Sequence, residues 1–331
     1  MSRQVTVVIT VRNDARGCAE TLSALAGQTR QPERIVVVDG GSTDETLSVI
    51  QRFQDKNSRI TVINAPGVNI ASGRNIGIAA AQTEIIATTD GGCRADPDWL
   101  RHLMKPFDDD ASTEFVAGFY RIESYSLLEQ VVGLATMRGQ LGPVDPDTFN
   151  PSARSMAFCK SAWSRAGGFP EWIRFSEDTL FDHKMRRLNV MWRFAGEAIV
   201  YWRPRTSLRA IARQFFNYGT GRGHTQIDAS SFAYNLRNVA IIASTAAVSI
   251  ATPWAWVAVA ALATYFYVWT FHGLARKVAK RTRRWSAYPL CIVVMWVTLV
   301  SNLAGYLVGT WQRRRDHDRY ARRMEAYLAS P

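Results

Sequence analysis

The chain has 331 residues, 47% of them hydrophobic, and a formal net charge of +12. That apolar share excludes a chain disordered throughout, and the length allows two domains or one domain with an appendage. Four scattered cysteines with no CxxC or Cys/His spacing argue against a zinc site or disulfide scaffold and favour a reducing compartment. The opening MSRQVTVVITVRND reads as a strand rather than a leader, because its apolar stretch is short and no small-residue cleavage site follows. VTVVITV (5–11), RIVVVD (34–39), ITVIN (60–64) and EIIATTD (84–90) predict strands, with helix-like ARGCAETLSALAGQ, DETLSVIQRFQDK and GRNIGIAAAQ between them. This alternation argues an α/β, mainly parallel sheet with helices on both faces, where ligands sit beyond the carboxyl ends of the strands. Three such ends carry polar clusters: Thr10 to Asp14, Asp39 to Asp44, and Asp90 to Arg94.

In VDGGSTDET (38–46), Gly40 and Gly41 permit a tight turn, and Asp44 and Glu45 suit the helix start that follows. Asp39 is left over: an acid closing an apolar strand is well placed to accept hydrogen bonds from a ligand. Arg74 and Asn75 open a helix of small residues, where an arginine can meet a bound anion. DDDAS (108–112) reads as a solvated loop, and Leu127 to Leu134 fall on one helix face. GGFPEW (167–172) predicts a turn that carries Phe169 and Trp172 either to a ligand or into the core. Arg154, in NPSARSMAFCK, is a candidate contact for an acceptor phosphate, and Glu177 and Asp178 precede a helical run.

VVITVRND, QTRQPERIVVVDGGSTDET, GRNIGIAAAQTEIIATTDGGC, GGFPEWIRFSEDTLFDHKMRR and FFNYGTGRG, in this order, resemble the inverting family 2 glycosyltransferases of the GT-A type. The resemblance covers about the first 220 residues. It implies a GT-A (Rossmann-like, mixed, mainly parallel) catalytic domain and a nucleotide-sugar donor, most often a uridine diphosphate sugar. Thr10 and Arg12 would line the base pocket with Asp14, Asp39 would hold the uracil edge, and Arg74 would contact the nucleotide. Asp90 takes the first acidic position of the family's DxD motif, but its last position, the usual metal ligand, is Gly92. A divalent ion, Mg2+ or Mn2+, would then rest on Asp90 with help from His224, or arginines such as Arg222 would replace it. Asp178 falls at the catalytic-base position, and Glu177 would support the acceptor or the helix.

Two uncharged stretches follow, at 239–271 and 288–311. Each exceeds the about 20 apolar residues that cross a hydrocarbon layer ~30 Å thick. With a break at Thr252-Pro253, three spans are expected at 236–252, 254–272 and 288–311 within a membrane region of 236–312. An amphipathic interface segment (205–235) would link this region to the catalytic domain (1–204), and a basic tail (313–331) would close the chain. Uncharged spans flanked by basic clusters fit anionic lipid better than nucleic acid. The whole resembles bacterial members that extend lipid-linked saccharides, such as the succinoglycan-type glucosyltransferases. It implies a polyprenyl-linked acceptor and a catalytic domain on the cytoplasmic face of the inner membrane. No QxxRW follows, so one sugar per encounter is expected rather than a processive polymer. The alternatives are transfer directly onto a polyprenyl phosphate, and a catalytically silent nucleotide-sugar-binding scaffold.

Overall fold

All four predicted strands form and pair in parallel in a computed structural model that describes residues 3–137, 139–252 and 254–329. In chain order the first elements are β1 (Val5–Val11), α1 (Ala15–Ala26), β2 (Arg34–Asp39), α2 (Thr46–Lys56), β3 (Ile60–Asn64), α3 (Ile70–Ala80) and β4 (Ile85–Asp90). Then come β5 (Cys93–Ala95), α4 (Trp99–Asp109), β6 (Phe115–Ile122), α5 (Leu127–Thr136), β7 (Met156–Cys159), α6 (Lys160–Arg165), α7 (Glu177–Arg187) and β8 (Trp192–Trp202). The sheet order is β3-β2-β1-β4-β7-β6-β8-β5. β7 runs antiparallel to β4 and β6, and β5 antiparallel to β8, so the sheet is mixed, as expected for a GT-A domain. Val5, Val7, Val8 and Ile9 are all buried, on both faces of β1, because helices cover both sides of the sheet. The register sets Thr10 opposite Asp90 and Val11 opposite Asp39, which brings the three polar strand ends level.

The chain divides into two units: Met1–Glu123, Val144–Arg203 and Arg322–Pro331 form the first, and Ser124–Pro143 with Pro204–Ala321 the second. The longer segment of the second unit begins at Pro204, and two excursions depart from a simple division of the chain at that point. α5 belongs to the helical unit, where its apolar residues pack on helices far downstream in sequence. The basic tail is no loose appendage; its last helix belongs to the sheet unit.

The helical unit contains α8 (Leu208–Thr225), α9 (Ala229–Ala251), α10 (Ala255–Tyr267), a π-helical turn at Val268–His272, α11 (Gly273–Thr282) and α12 (Ala287–Arg315). Among the described residues two helical stretches, Trp256–Thr282 and Ala287–Arg315, are long and apolar enough to cross a membrane. The expected 236–252 span falls inside α9, which is not one of the two. Pro253, at the predicted break, lies outside the described residues. Much of the basic run ARKVAKRTRR (275–284), between the second and third expected spans, is α11, continuous with α10 through the π turn.

α8 was expected to lie flat with its apolar side down. Its C-terminal half is instead buried, Gly219 and Gly223 meeting Gly305 and Gly309 of α12. A Cβ at Gly305 would stand 2.0 Å from the Phe216 carbonyl oxygen, and one at Gly219 2.1 Å from that of Asn302. Only hydrogen fits, so the two backbones touch, as small-xxx-small pairs allow. After α12 a second π turn (Asp318–Arg322) leads to α13 (Arg323–Ala329). The Tyr327 hydroxyl of α13 donates to the Gly168 carbonyl at 2.7 Å, within the sheet unit.

Candidate active site

Gly73 and Gly77 let α3 lie close to β1 and β2; a Cβ at Gly77 would stand 2.5 Å from a Val8 methyl. That approach carries Arg74 to the end of β4. Its Nη2 donates to Asp90 Oδ1 and its Nη1 to Glu177 Oε1, both at 2.7 Å, and the side chain is 3% exposed. The guanidinium lies over the Phe169 ring, 5.4 Å from its centre. Burial alone would lower the Arg74 pKa, but Asp90, Glu177 and Asp178 outweigh it and push it up.

The next residue fixes the loop leading to α7. Asn75 Nδ2 donates to the Phe169 carbonyl and to Glu171 Oε1, and its Oδ1 accepts from Phe169 N–H and Trp163 Nε1. Phe169 is thereby held in the core, stacked on Phe181 at 4.2 Å, while Trp172 is half-buried. Of the two readings of GGFPEW, Phe169 follows the core one.

Ser176 sits in the left-handed region at φ 64 immediately before α7, a conformation costly for a residue with a Cβ. The turn sets Glu177 and Asp178 at the start of the helix. Burial, and next the neighbouring Asp178, push Glu177 up to about 7 against the pull of Arg74. Asp178 is half-buried, its Oδ1 accepting from Thr179 N–H at 2.8 Å and its Oδ2 from Ser152 Oγ at 3.4 Å. Ser152 Oγ in turn accepts from Arg154 Nη1 at 3.3 Å, and Arg154 Nε lies 3.9 Å from Asp90 Oδ2. Arg154 is also stacked over Trp202, 4.9 Å from the ring centre. The connections run as a circuit: Glu177, Arg74, Asp90, Arg154, Ser152, Asp178. Asp90 and Asp178, 88 positions apart in sequence, thus share one cluster.

The remaining predicted positions form a neighbouring loop pair. Asp39 accepts from Gly41 N–H at 3.2 Å, Ser42 N–H at 2.9 Å and the Ser42 hydroxyl, so its carboxylate shapes the GGST turn. Asn13, at φ 52, clasps that turn: its Oδ1 accepts from Thr43 N–H and its own N–H donates to Ser42 Oγ. Asp14 caps α1 through Gly17 N–H. Arg12 is exposed, and the Thr10 hydroxyl is buried without a hydrogen bond while its methyl faces Gly73. Sequence reasoning missed Asn13, Ser152 and the clamping role of Asn75. Asn13 and Ser152 stand in polar loops where a structural residue looks like any other.

Asp90 and His224, the expected metal ligands, fall in different units, and each has protein partners of its own. Asp90 already faces two guanidiniums. His224 belongs to the other unit, where Nε2 meets Gln312 Oε1 at 2.7 Å and the ring stacks on Tyr320. Gly92 has φ +86, and a Cβ there would stand 2.8 Å from Asp14 Oδ2. A carboxylate at 92 would therefore be strained in backbone and would meet another carboxylate. Among the described residues no group of three or more His, Cys, Asp or Glu side chains is disposed to hold a metal. Cys93 is buried, which pushes its thiol up to about 12 and leaves it inert.

The sheet order and the acid-bearing strand ends define a GT-A-type fold. Among solved structures, the mannosyltransferase PcManGT from Pyrobaculum calidifontis, in complex with GDP-Man and Mn2+, aligns with a TM-score of 0.59. It is 18% identical, over 95% of this chain and 88% of that one. GalNAc-T7 with UDP, GalNAc and Mn2+ aligns at 0.50 and 14% identity, over 66% and 47%. Residues 6–143 match the family model of glycosyl transferase family 2. The chain is 30% identical over 228 residues to the pre-mycofactocin glycosyltransferase of Mycobacterium tuberculosis, covering 66% of this chain and 47% of that protein. It is 23% identical over 226 residues to the O-antigen chain rhamnosyltransferase RfbN of Salmonella typhimurium, covering 65% and 71%. The match places residues 6–143 with the family 2 glycosyltransferases, and the chain spans about half the length of the first of these relatives.

Proposed function

We propose that this protein transfers a single sugar from a nucleoside diphosphate donor, a UDP-sugar by the resemblance, to a hydroxyl of a lipid-linked saccharide, inverting the anomeric carbon. One observation carries the reading: the strand-end acid Asp90 and the helix-start acid Asp178 close one charged circuit through Arg74 and Arg154. That pairs a donor-side residue with a base. Asp178 takes the proton from the acceptor hydroxyl as its oxygen attacks the anomeric carbon from behind. The carbon–oxygen bond to the diphosphate breaks, and a single displacement needs no second carboxylate as nucleophile. Burial and the neighbouring Asp178 raise Glu177 to about 7 against the pull of Arg74, so near neutral pH it carries only part of its charge beside the base. Thr10, Arg12, Asp14 and Asp39 line the nucleotide side, and Arg74 holds Asp90 beside them.

Two apolar helical stretches and the basic flanks of α11 and α12 favour attachment to an anionic bilayer. The proposed location is a bacterial inner membrane with the sheet unit cytoplasmic and a polyprenyl-linked acceptor. A donor screen on membranes containing the protein, with lipid extract added, should release nucleoside diphosphate and a glycosylated lipid. Loss of both with Asp178→Asn supports the reading. Release from no donor, with or without lipid, defeats it in favour of a silent scaffold.

A further inference from the structure

We propose that the charge gathering on the departing nucleoside diphosphate is met by Arg154, and not by a divalent cation held at the end of β4. The inference rests on the donor reading proposed above. A cation at such a site is held by one or two carboxylates together with the phosphates. Here the one carboxylate at the end of β4 is partly engaged: Asp90 Oδ1 binds Arg74 at 2.7 Å, and Oδ2 faces the Arg154 guanidinium at 3.9 Å. The second is missing at Gly92, and the space a side chain there would enter is filled by Asp14 Oδ2, on a carboxylate that already caps α1. A metal ion beside Asp90 would also face the two guanidiniums. The donor set does not fit the ion; it fits an anion.

Of the two arginines, Arg74 is sealed in, 3% exposed with both terminal nitrogens on carboxylates. Arg154 is 19% exposed, and its contact with Asp90 is long. The Trp202 ring and Ser152 Oγ hold its guanidinium between Asp90 and, through Ser152, the base Asp178. In the displacement the acceptor oxygen bonds to the anomeric carbon and its proton passes to Asp178. The electron pair of the broken bond stays on the diphosphate oxygen. Arg154 keeps its protons and donates hydrogen bonds to that diphosphate as charge accumulates on it.

The test uses the full chain in detergent or nanodiscs, titrated with UDP, GDP, uridine and guanosine, first with EDTA and then with Mn2+. The expected result is nucleoside diphosphate binding in EDTA that Mn2+ does not tighten, and a six-line free-Mn2+ spectrum that UDP or GDP lowers no more with the protein than without it. Arg154→Ala should weaken diphosphate binding about 10- to 100-fold, the loss expected for charge-assisted hydrogen bonds. Arg154→Lys should recover part of it. Nucleoside binding should be unchanged in both variants, which also reports that the site is folded. Loss of the free-Mn2+ signal beyond that caused by the nucleotide alone, or equal loss of nucleoside and nucleoside diphosphate in Arg154→Ala, overturns the proposal. Binding of neither nucleotide by the unmodified protein, with or without Mn2+, overturns the donor reading and this inference with it.

Discussion

The charged circuit at the strand ends and the glycine seam between α8 and α12 both join segments far apart in sequence, with opposite materials. In the sheet unit the buried polar groups are paired; Asp90 and Glu177 each meet a guanidinium nitrogen of Arg74 at 2.7 Å. In the helical unit side chains are absent, and Gly305 and Gly309 leave room for the carbonyls of Phe216 and Thr220. A buried carboxylate without its partner is costly, whereas a close backbone contact tolerates almost no added atom. The first kind of contact should fail when a partner is taken away, the second when anything is added.

The sharpest probe is Asp178→Asn, which keeps the volume and removes the base. Product formation should fall by about 10²–10⁴, the usual contribution of a positioned base, with the melting temperature almost unmoved. Arg74→Ala takes the partner from two carboxylates at once and should cost about 3–5 kcal/mol in stability, read by thermal or denaturant unfolding of the purified chain. Arg74→Lys should restore part of it, since one ammonium cannot reproduce the forked contacts. On the other side of the comparison, Gly305→Ala should separate α8 from α12. The overpacking penalty of about 1–3 kcal/mol outweighs the ~1 kcal/mol that alanine gains in a helix. If Gly305→Ala is neutral in unfolding measurements, the seam is not the contact described here.

A pH titration separates the two regions again. Burial raises Glu177 from its ordinary 4.5 to about 7 and Asp182 from 3.8 to about 6. Over those windows the folded chain holds protons that the unfolded chain has released, so stability should fall as pH rises. Glu177→Gln should flatten the upper part of that slope, above pH 6, while the glycine seam contributes no pH dependence. The smallest expected effect is Tyr327→Phe, which removes one hydrogen bond to the Gly168 carbonyl and should cost about 1 kcal/mol.

The strand runs were legible because a sheet covered on both faces demands continuous β-branched residues, and VTVVITV and RIVVVD supply them. The level of Asp39 and Asp90 followed from that pattern, since each closes its strand. The use of the Asp39 carboxylate did not follow: its own loop takes it, and loop geometry is invisible to periodicity. SLRAIARQFFNYGTGRG (207–223) reads as an amphipathic interface helix because Leu208, Ile211, Phe215 and Phe216 lie among arginines. The glycines that bury its far half gain meaning only opposite Gly305 and Gly309, about 85 residues on.

By itself the sequence determined the α/β class, the order of the acid-bearing strand ends, the placing of acids before α7 and the apolar helices of the second unit. Each of these depends on local composition and period, which the chain carries at every point. Tertiary structure alone decided that Arg74 and Arg154 bracket Asp90, that α5 joins the helical unit, and that α13 returns to the sheet unit. Those outcomes depend on which distant surfaces close around a buried charge or an exposed backbone, and no window of neighbouring residues encodes that choice.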